Sequence, residues 1–266
     1  MKTKTKKLFI LLVIGLVFPL ILNYNFDISN NYKPNVDNPK TSAPYNGIVV
    51  DDTLATSGIS WGNWTWARTQ PWCVEGNGTQ DNPYIIEDSI FLSAGPSDCL
   101  TITHSRQYFV VENCTFKDIP VASFAGLRLN NVTNGMIVDN QIYNNAYGIY
   151  CLNVNKSQLI DNNCSNNLNY GMYFNECDNN TISGNTANGN DDGIHFHNGC
   201  DNNTISGNTA NDNNFEGLSM YDGCVFNNIT GNTANNNMRG IWFEENHDNT
   251  LSGNTANNNT DGGMYL

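Results

Sequence analysis

Positive charge is scarce in this sequence of 266 residues. Only 12 residues are Lys or Arg, against 25 Asp or Glu, and the formal net charge is −13. Four of the 12 cations precede residue 8. A chain with so few cations cannot neutralise the phosphates of a nucleic acid, and it is poorly suited to an anionic membrane surface. We therefore expect no nucleic acid partner.

Strong helix signals are also missing, and asparagine takes their place. The sequence contains 49 Asn residues. Asn is unfavourable in helix interiors but is tolerated in turns and in left-handed conformations, so a helical bundle is excluded. Aromatic residues make up 11% of the chain and the apolar residues are regularly spaced, unlike in a disordered polymer. The composition predicts a folded, largely non-helical protein.

The N-terminus has the pattern of an export signal. Lysines precede an apolar run over residues 8–22, which is short for a membrane span and typical of a signal peptide. No small-x-small cleavage site follows, so an uncleaved anchor that stays in the membrane is an open alternative. We assign residues 1–25 to the signal peptide or anchor and residues 26–45 to a polar linker. The folded part is then secreted or anchored on the outer cell surface.

The rest of the chain is an internal repeat. The phrase Ser-Gly-Asn-Thr-Ala-Asn at 183–188 returns, with Ser or Thr first, at 206, 230 and 252. A glycine followed by an apolar residue recurs at steps of about 22 to 24 residues, a period shared by leucine-rich repeats and parallel β-helices. The glycines of this second repeat are Gly126, Gly148, Gly171, Gly193, Gly217, Gly240 and Gly263.

Apolar alternation decides between these two folds. Positions one and three after each glycine are apolar, as at Ile194 and Phe196, which predicts the inward face of a short strand. A second strand passes through Ile182 and Ile205, and a third crosses the Thr-Ala segments, where the inward residue is left open. The repeats leave no room for helices. We predict an all-β, right-handed parallel β-helix solenoid over residues 84–266, with three short strands in each coil.

The two ends and the corners of the solenoid carry further expectations. Residues 46–83 are rich in tryptophan and are expected to form the N-terminal cap over the first coil. Asn at the corners is expected to accept left-handed φ and to form amide ladders between coils. The sequence ends at Leu266 inside a coil, so we expect the solenoid to continue or a partner to cover its open edge.

Several segments carry a family resemblance. They are Pro71-Trp72-Cys73, Gly76-Asn77-Gly78-Thr79, Asn82-Pro83-Tyr84-Ile85-Ile86-Glu87, Val111-Glu112-Asn113-Cys114-Thr115-Phe116 and the Asn-Asn-Thr-Ile-Ser-Gly-Asn-Thr repeats. Together they resemble NosD-type right-handed β-helix proteins, and in particular Asn-rich surface proteins of archaea, over residues 60–266. The resemblance implies the fold. For function it implies a range: carbohydrate-binding modules, sugar-hydrolysing modules and an accessory protein for copper-site assembly.

The cysteines suggest two arrangements. Cys73 and Cys99 flank the first coil, and we predict a disulfide between them. Cys177, Cys200 and Cys224 recur in one column, with His247 at the same step. Four residues stacked at about 4.8 Å span too far for one zinc ion, whose ligands lie at most about 4.6 Å apart. A ladder of buried thiols is the favoured interpretation.

His195 and His197 form a candidate metal site. Phe196 between them points inward, so both imidazoles project from one outer face, close enough to chelate copper or zinc. No third ligand is evident in the sequence. Two solvated histidines on a strand are the simpler alternative.

The outward face of the glycine-linked strands is the candidate ligand-binding surface. Its residues are Tyr150, Tyr173, His195, Tyr221, Trp242 and Glu244. Aromatic rings beside polar groups suit a polysaccharide or the glycan of a surface glycoprotein. The acidic chain favours a neutral or cationic glycan, or calcium held by Asp and Asn oxygens. The alternative is that the rings only stabilise cross-strand pairs.

Catalysis is a further hypothesis. Asn190-Asp191-Asp192-Gly193 resembles the paired aspartates of β-helix polygalacturonases, which implies Asp191 and Asp192 as acid and base. The Gly-His-Gly and Arg-x-Lys elements of that family are missing. Three hypotheses remain: a non-enzymatic glycan-binding module, a polysaccharide-active enzyme, and a copper-handling accessory protein.

Overall fold

A computed structural model describes residues 44–93, 95–121 and 123–266 of the chain. The predicted signal segment, residues 1–25, and residues 26–43 of the predicted linker lie outside the described residues. In these ranges no helix is long and apolar enough to cross a membrane.

The regular secondary structure of the described chain is 23 short strands and one four-residue helix. In chain order these are β1 (Tyr45–Asn46), β2 (Ile48–Asp51), β3 (Trp61–Gly62), α1 (Trp64–Ala67), β4 (Cys73–Glu75), β5 (Tyr84–Glu87), β6 (Ile90–Leu92), β7 (Leu100–Thr103), β8 (Phe109–Glu112), β9 (Thr115–Ile119), β10 (Ala125–Thr133), β11 (Gly135–Val138), β12 (Gln141–Asn145), β13 (Tyr147–Asn155), β14 (Gln158–Ile160), β15 (Tyr170–Asn175), β16 (Thr181–Ser183), β17 (Asp192–His197), β18 (Thr204–Ser206), β19 (Glu216–Tyr221), β20 (Asn228–Thr230), β21 (Arg239–Glu244), β22 (Thr250–Ser252) and β23 (Gly262–Tyr265).

The strands form three walls of a solenoid. A ten-stranded sheet has the order β23-β21-β19-β17-β15-β13-β10-β7-β2-β3, and a nine-stranded sheet has the order β22-β20-β18-β16-β14-β11-β8-β5-β4. Successive coils pair in parallel with residues in register, as in Tyr150 with Tyr173 and Tyr173 with His195. The predicted right-handed parallel β-helix is confirmed.

The third wall is less regular than the other two. Its four-stranded sheet, β1-β6-β9-β12, ends after β12, and later coils are joined there by single bridges such as Thr186 with Thr209. Ala187 and Ala210 are buried while the bridging threonines are partly exposed. Alanine is therefore the inward residue of the Thr-Ala segments, the point that the sequence left open.

The apolar columns fill the interior as their alternation predicts. Phe174 and Phe196 are fully buried and stack with ring centroids 4.6 Å apart. The anchor glycines lie at an inward bend: a Cβ on Gly148 would collide with the backbone oxygen of Gly171 in the next coil. Absence of a side chain at this position is thus a packing requirement.

Asparagine has two separate roles at the corners. Asn185, Asn208 and Asn232 are buried, and each amide bonds to the next along the axis. The residues with left-handed φ are different ones, such as the exposed Asn179 and Asn202. The sequence predicted both features but assigned them to the same residues.

The tryptophan-rich segment packs against the first coils. Trp64 and Trp72 are buried, whereas Trp61 is 40% exposed. The Trp64 indole donates to Ser105 Oγ at 2.8 Å and stacks on Tyr84 at 4.7 Å. Most of the ring surface in this segment is thus used for packing.

Phe226 occupies a strained corner position and gives a stability prediction. Its φ is 59°, and the matching residues of the adjacent coils are Asn202 and Asp248, which tolerate this conformation. The Phe226 side chain is 58% exposed. We expect Phe226→Asn to raise the free energy of unfolding by about 1 kcal/mol in urea denaturation. The converse change, Asn202→Phe, should lower it by a similar amount; a loss of stability in Phe226→Asn would contradict this account.

Candidate functional site

The outward side of the ten-stranded sheet carries a cluster of tyrosines on β13 and β15. Tyr147 stacks on Tyr170 with centroids 5.3 Å apart, and Tyr150 stacks on Tyr173 at 5.0 Å. The two columns meet edge to face, with 83° between Tyr147 and Tyr150. Near-parallel rings at these distances lie face to face. The flat ring faces expected from the sequence are therefore turned toward one another along the solenoid axis.

Because the ring faces contact one another, the phenol hydroxyls are the groups that this surface offers to a ligand. Tyr147, Tyr150 and Tyr170 are partly exposed, and their hydroxyls have no hydrogen-bond partner among the described residues. Burial raises the pKa of Tyr147 and of Tyr170. The hydroxyls of Tyr147 and Tyr170 therefore stay protonated and can donate or accept hydrogen bonds.

An arginine covers a ring at each end of this face. The Arg128 guanidinium lies 4.1 Å from the centroid of Tyr150 and pairs with Asp98 at 2.6 Å. At the other end, the Arg239 guanidinium lies 4.1 Å from the Trp242 ring. Trp242 also stacks on Tyr265 at 4.1 Å, so neither of its ring faces is free. We call the surface between the two arginines the aromatic face.

His195 lies at the centre of the aromatic face. It is 8% exposed, and its ring stacks between Tyr173 and Tyr221 with centroids 5.3 Å from each. His195 Nδ1 is 2.9 Å from the Oγ of the buried Ser219. Burial, and then the neighbouring His197, lowers the pKa of His195 to about 4. The imidazole is therefore neutral at pH 7.

Two carboxyl groups lie next to His195. Asp192 is 8% exposed, its Oδ1 accepts the Glu216 backbone N–H at 2.9 Å, and the two carboxyl groups are hydrogen-bonded. Glu216 pairs with Arg239 at 2.9 Å, and Arg239 also contacts Asp261 at 3.2 Å. Burial, and then Glu216, raises the pKa of Asp192 to about 8. Asp192 is thus a neutral acid at pH 7.

The two aspartates singled out in the sequence have different surroundings. Asp191 lies at the corner before β17, where its Oδ1 accepts a hydrogen bond from the exposed Asn214 at 2.8 Å. Asp192 begins β17 and faces Glu216 instead. The geometry therefore brings Asp192 together with Glu216 rather than with Asp191. Any acid–base pair on this face would therefore consist of Asp192 and Glu216.

A comparison with known protein families identifies the family of this chain. Residues 100–266, more than half of the chain, match the family described as periplasmic copper-binding protein (NosD).

The chain belongs to the NosD family.

No curated protein sequence matches this NosD-family chain.

Solved structures share the fold at low identity. The mannuronan C-5 epimerase AlgE6 A-module of Azotobacter vinelandii is 15% identical with a TM-score of 0.53, covering 68% of this chain and 54% of its own. The periplasmic alginate epimerase AlgG is 19% identical with a TM-score of 0.55, covering 68% and 50%. Pectate lyase Pel9A is 13% identical with a TM-score of 0.52, covering 79% and 71%. The chain thus spans about half the length of the two epimerase structures.

The NosD description raises the question of copper, and the two histidines are the natural candidates. The His195 and His197 rings are 6.0 Å apart, but His195 Nδ1 is bonded to Ser219 and His197 Nε2 contacts Asp222 at 2.6 Å. His197 Nδ1 is buried with no partner among the described residues. Across this part of the chain no group of three or more His, Cys, Asp or Glu side chains could hold a metal ion. Among the described residues His195 and His197 are thus held by Ser219 and Asp222 and have no third side-chain ligand for copper.

The cysteines are buried free thiols throughout the described chain. The disulfide predicted between Cys73 and Cys99 is not formed, because Cys73 belongs to the nine-stranded sheet while Cys99 precedes β7 of the ten-stranded sheet. Cys177, Cys200 and Cys224 form the favoured thiol ladder, in which backbone N–H groups donate to sulfur at 3.3 Å.

The fourth position of that ladder differs from the prediction. Asn246, not His247, accepts the Cys224 N–H, at 2.7 Å. The coil between Cys224 and Asn246 is 22 residues long, one shorter than the step from Cys177 to Cys200, and this shifts the register. His247 is exposed and pairs with Asp248.

The sequence did not reveal the corner aspartates that contact the basic side chains of the aromatic face. Asp98 holds Arg128, Asp222 holds His197 and Asp261 holds Arg239. Each lies outside the alternating columns, so periodicity does not select it. A local signal exists for Asp222, because Asp is a residue type that tolerates left-handed φ at a corner, and its φ is 57°.

Proposed function

We propose that this chain is an exported NosD-family protein that binds a polysaccharide, free or on a surface glycoprotein, along the aromatic face. The family description is periplasmic. The basic and apolar N-terminus is consistent with export to the outer surface, secreted or anchored. The names of the similar β-helix structures refer to alginate and pectate, which supports an extended polysaccharide as the type of ligand.

One observation carries the proposal: the unpaired phenol groups of Tyr147, Tyr150 and Tyr170 on successive strands of one sheet. Parallel strands repeat at about 4.8 Å, so the Tyr147 and Tyr170 phenols follow each other along the solenoid axis, with Tyr150 beside Tyr147 on β13. A polysaccharide presents a matching row of hydroxyl groups. The stacked rings hold the phenols in place, so little side-chain entropy is lost when they bind.

The test removes hydroxyl groups and keeps the rings. The double variant Tyr150→Phe/Tyr170→Phe should weaken retardation in polysaccharide-containing affinity gels by about tenfold, since two hydrogen bonds are lost. Tyr143→Phe is the matched control, because Tyr143 is an exposed tyrosine of the four-stranded sheet. Equal retardation of both variants and of the wild type would count against the aromatic face.

Catalysis on the same polysaccharide is a second candidate, favoured by the proton held between Asp192 and Glu216. A buried carboxylic acid that is neutral at pH 7 is a feature of acid–base sites. New chain ends should appear when the protein is incubated with its polysaccharide, and Asp192→Asn should abolish them. Retardation without new ends would leave a binding module.

A further inference from the structure

The pairing of charges within the aromatic face limits what it can bind. Asp192 and Glu216 are successive residues of one column, and only Glu216 has a cation, Arg239 at 2.9 Å. Among the described residues Asp192 has no positively charged partner. Adjacent strands lie about 4.8 Å apart, so this column brings two mostly buried carboxyl groups together, and ionising both near neutral pH is unfavourable. The missing cation at Asp192 and the raised pKa of its carboxyl group both place one proton on this pair.

The groups around the pair are neutral or already matched. Tyr170 and Tyr221 face it as protonated phenols, since burial raises both pKa values, that of Tyr221 to about 12. His195 on the same strand is neutral, and its pKa lies at about 4. The charged groups nearby are Asp191 at the corner and Glu244 at the edge of β21, outside the pair itself. The pair itself therefore has no unmatched charge, because Asp192 keeps its proton and Glu216 contacts Arg239, while the carboxyl groups of Asp191, Asp222 and Glu244 lie around it.

We propose that the ligand of the aromatic face is an uncharged polysaccharide, and that the proton shared by Asp192 and Glu216 is required for its binding. This inference rests on the proposed function. A polyanion would meet Glu216, Glu244 and Asp222 around the centre. A polycation would find the cation positions over Tyr150 and Trp242 already occupied by the protein's own arginines.

Loss of the shared proton changes the face in a defined way. Above about pH 8, Asp192 becomes a second carboxylate beside Glu216, and Arg239 alone cannot neutralise both. The extra charge must remain hydrated, and a neutral ligand would strip water from it without offering a cation. Binding should therefore weaken as the pH rises from 6 to 9.

The experiment measures the affinity of the full chain for three kinds of polymer at pH 6 and pH 9. The probes are neutral galactomannan and dextran, anionic alginate and pectate, and cationic chitosan, with circular dichroism to verify folding at each pH. We expect a neutral polymer to bind most tightly at pH 6 and at least about fivefold more weakly at pH 9, which corresponds to about 1 kcal/mol. Asp192→Asn should remove this pH dependence, because Asn cannot ionise. Asp212→Asn, an exposed corner variant, should keep it.

The outcomes separate this inference from the proposed function. Tighter binding of alginate, pectate or chitosan, or wild-type binding equal at pH 6 and pH 9, would overturn the inference while the polysaccharide-binding function stood. If no polymer binds the protein, both the inference and the proposed function are overturned. A pH dependence unchanged in Asp192→Asn would place the titrating group elsewhere and overturn the role of the shared proton.

Discussion

Replacing Asn208 with alanine should lower the free energy of unfolding by about 3–5 kcal/mol, the largest effect of a single substitution that we predict. Asn208 is 1% exposed. Its amide donates to the backbone oxygen of Ile182 at 2.9 Å and to Asn232 at 3.0 Å, and its oxygen accepts two bonds from Asn185. Alanine would leave several buried polar groups without partners, each costing about 1–3 kcal/mol.

Urea denaturation of Asn208→Ala and of Asn214→Ala tests this prediction. Asn214 is an exposed corner residue whose side chain bonds only to Asp191 in the described structure, so its loss should change stability by less than about 0.5 kcal/mol. Similar small effects of both substitutions would mean that the amide ladder does not hold the coils together.

Asp192→Asn should change the pH dependence of stability. The folded-state pKa of Asp192, about 8, lies above its ordinary value of 3.8. The folded state therefore binds a proton that the unfolded state has released, and the wild type loses stability as pH rises from about 4 to about 8. Asn keeps the neutral form, so the variant should gain on the wild type by about 2 kcal/mol between pH 5 and pH 9, allowing for the pair's partial exposure.

Denaturation midpoints of the two proteins at pH 5, 7 and 9 provide the measurement. Asp212→Asn serves as the control, because Asp212 is exposed and bonds only to Asn236 in the described chain. A stability difference between Asp192→Asn and the wild type that stays constant from pH 5 to pH 9 would contradict a buried, protonated Asp192.

The fold could be predicted from the sequence because each coil repeats the same pattern of inward apolar and outward polar residues. Ile194 and Phe196 alternate with outward residues, and the same alternation returns in every coil at a spacing that fits only strands. The corners were harder to predict. Asn202 and Asn203 are adjacent and chemically identical, yet one has left-handed φ at the surface and the other is a buried ladder residue.

The members of the candidate site were predictable, but their geometry was not. Alternation placed Tyr150, Tyr173, His195 and Trp242 on one face, as the structure has them. The rotation of each ring depends on its neighbours in adjacent coils, which periodicity does not describe. The sequence does place Asp192 and Glu216 in one column, because each directly precedes an anchor glycine, but it does not show how deeply Asp192 is buried or that its Oδ1 accepts the Glu216 backbone N–H.

The most direct test of polysaccharide binding at the aromatic face is an NMR titration of the ring signals of the chain's 12 tyrosines, labelled with ¹³C, using neutral galactomannan and dextran. Assignment uses single Tyr→Phe variants. We predict that the signals of Tyr147, Tyr150, Tyr170 and Tyr173 shift together on titration, while that of Tyr143 on the four-stranded sheet does not. Shifts confined to Tyr143 or to the tryptophan-rich segment, or saturating binding that leaves all four signals in place, would contradict the account.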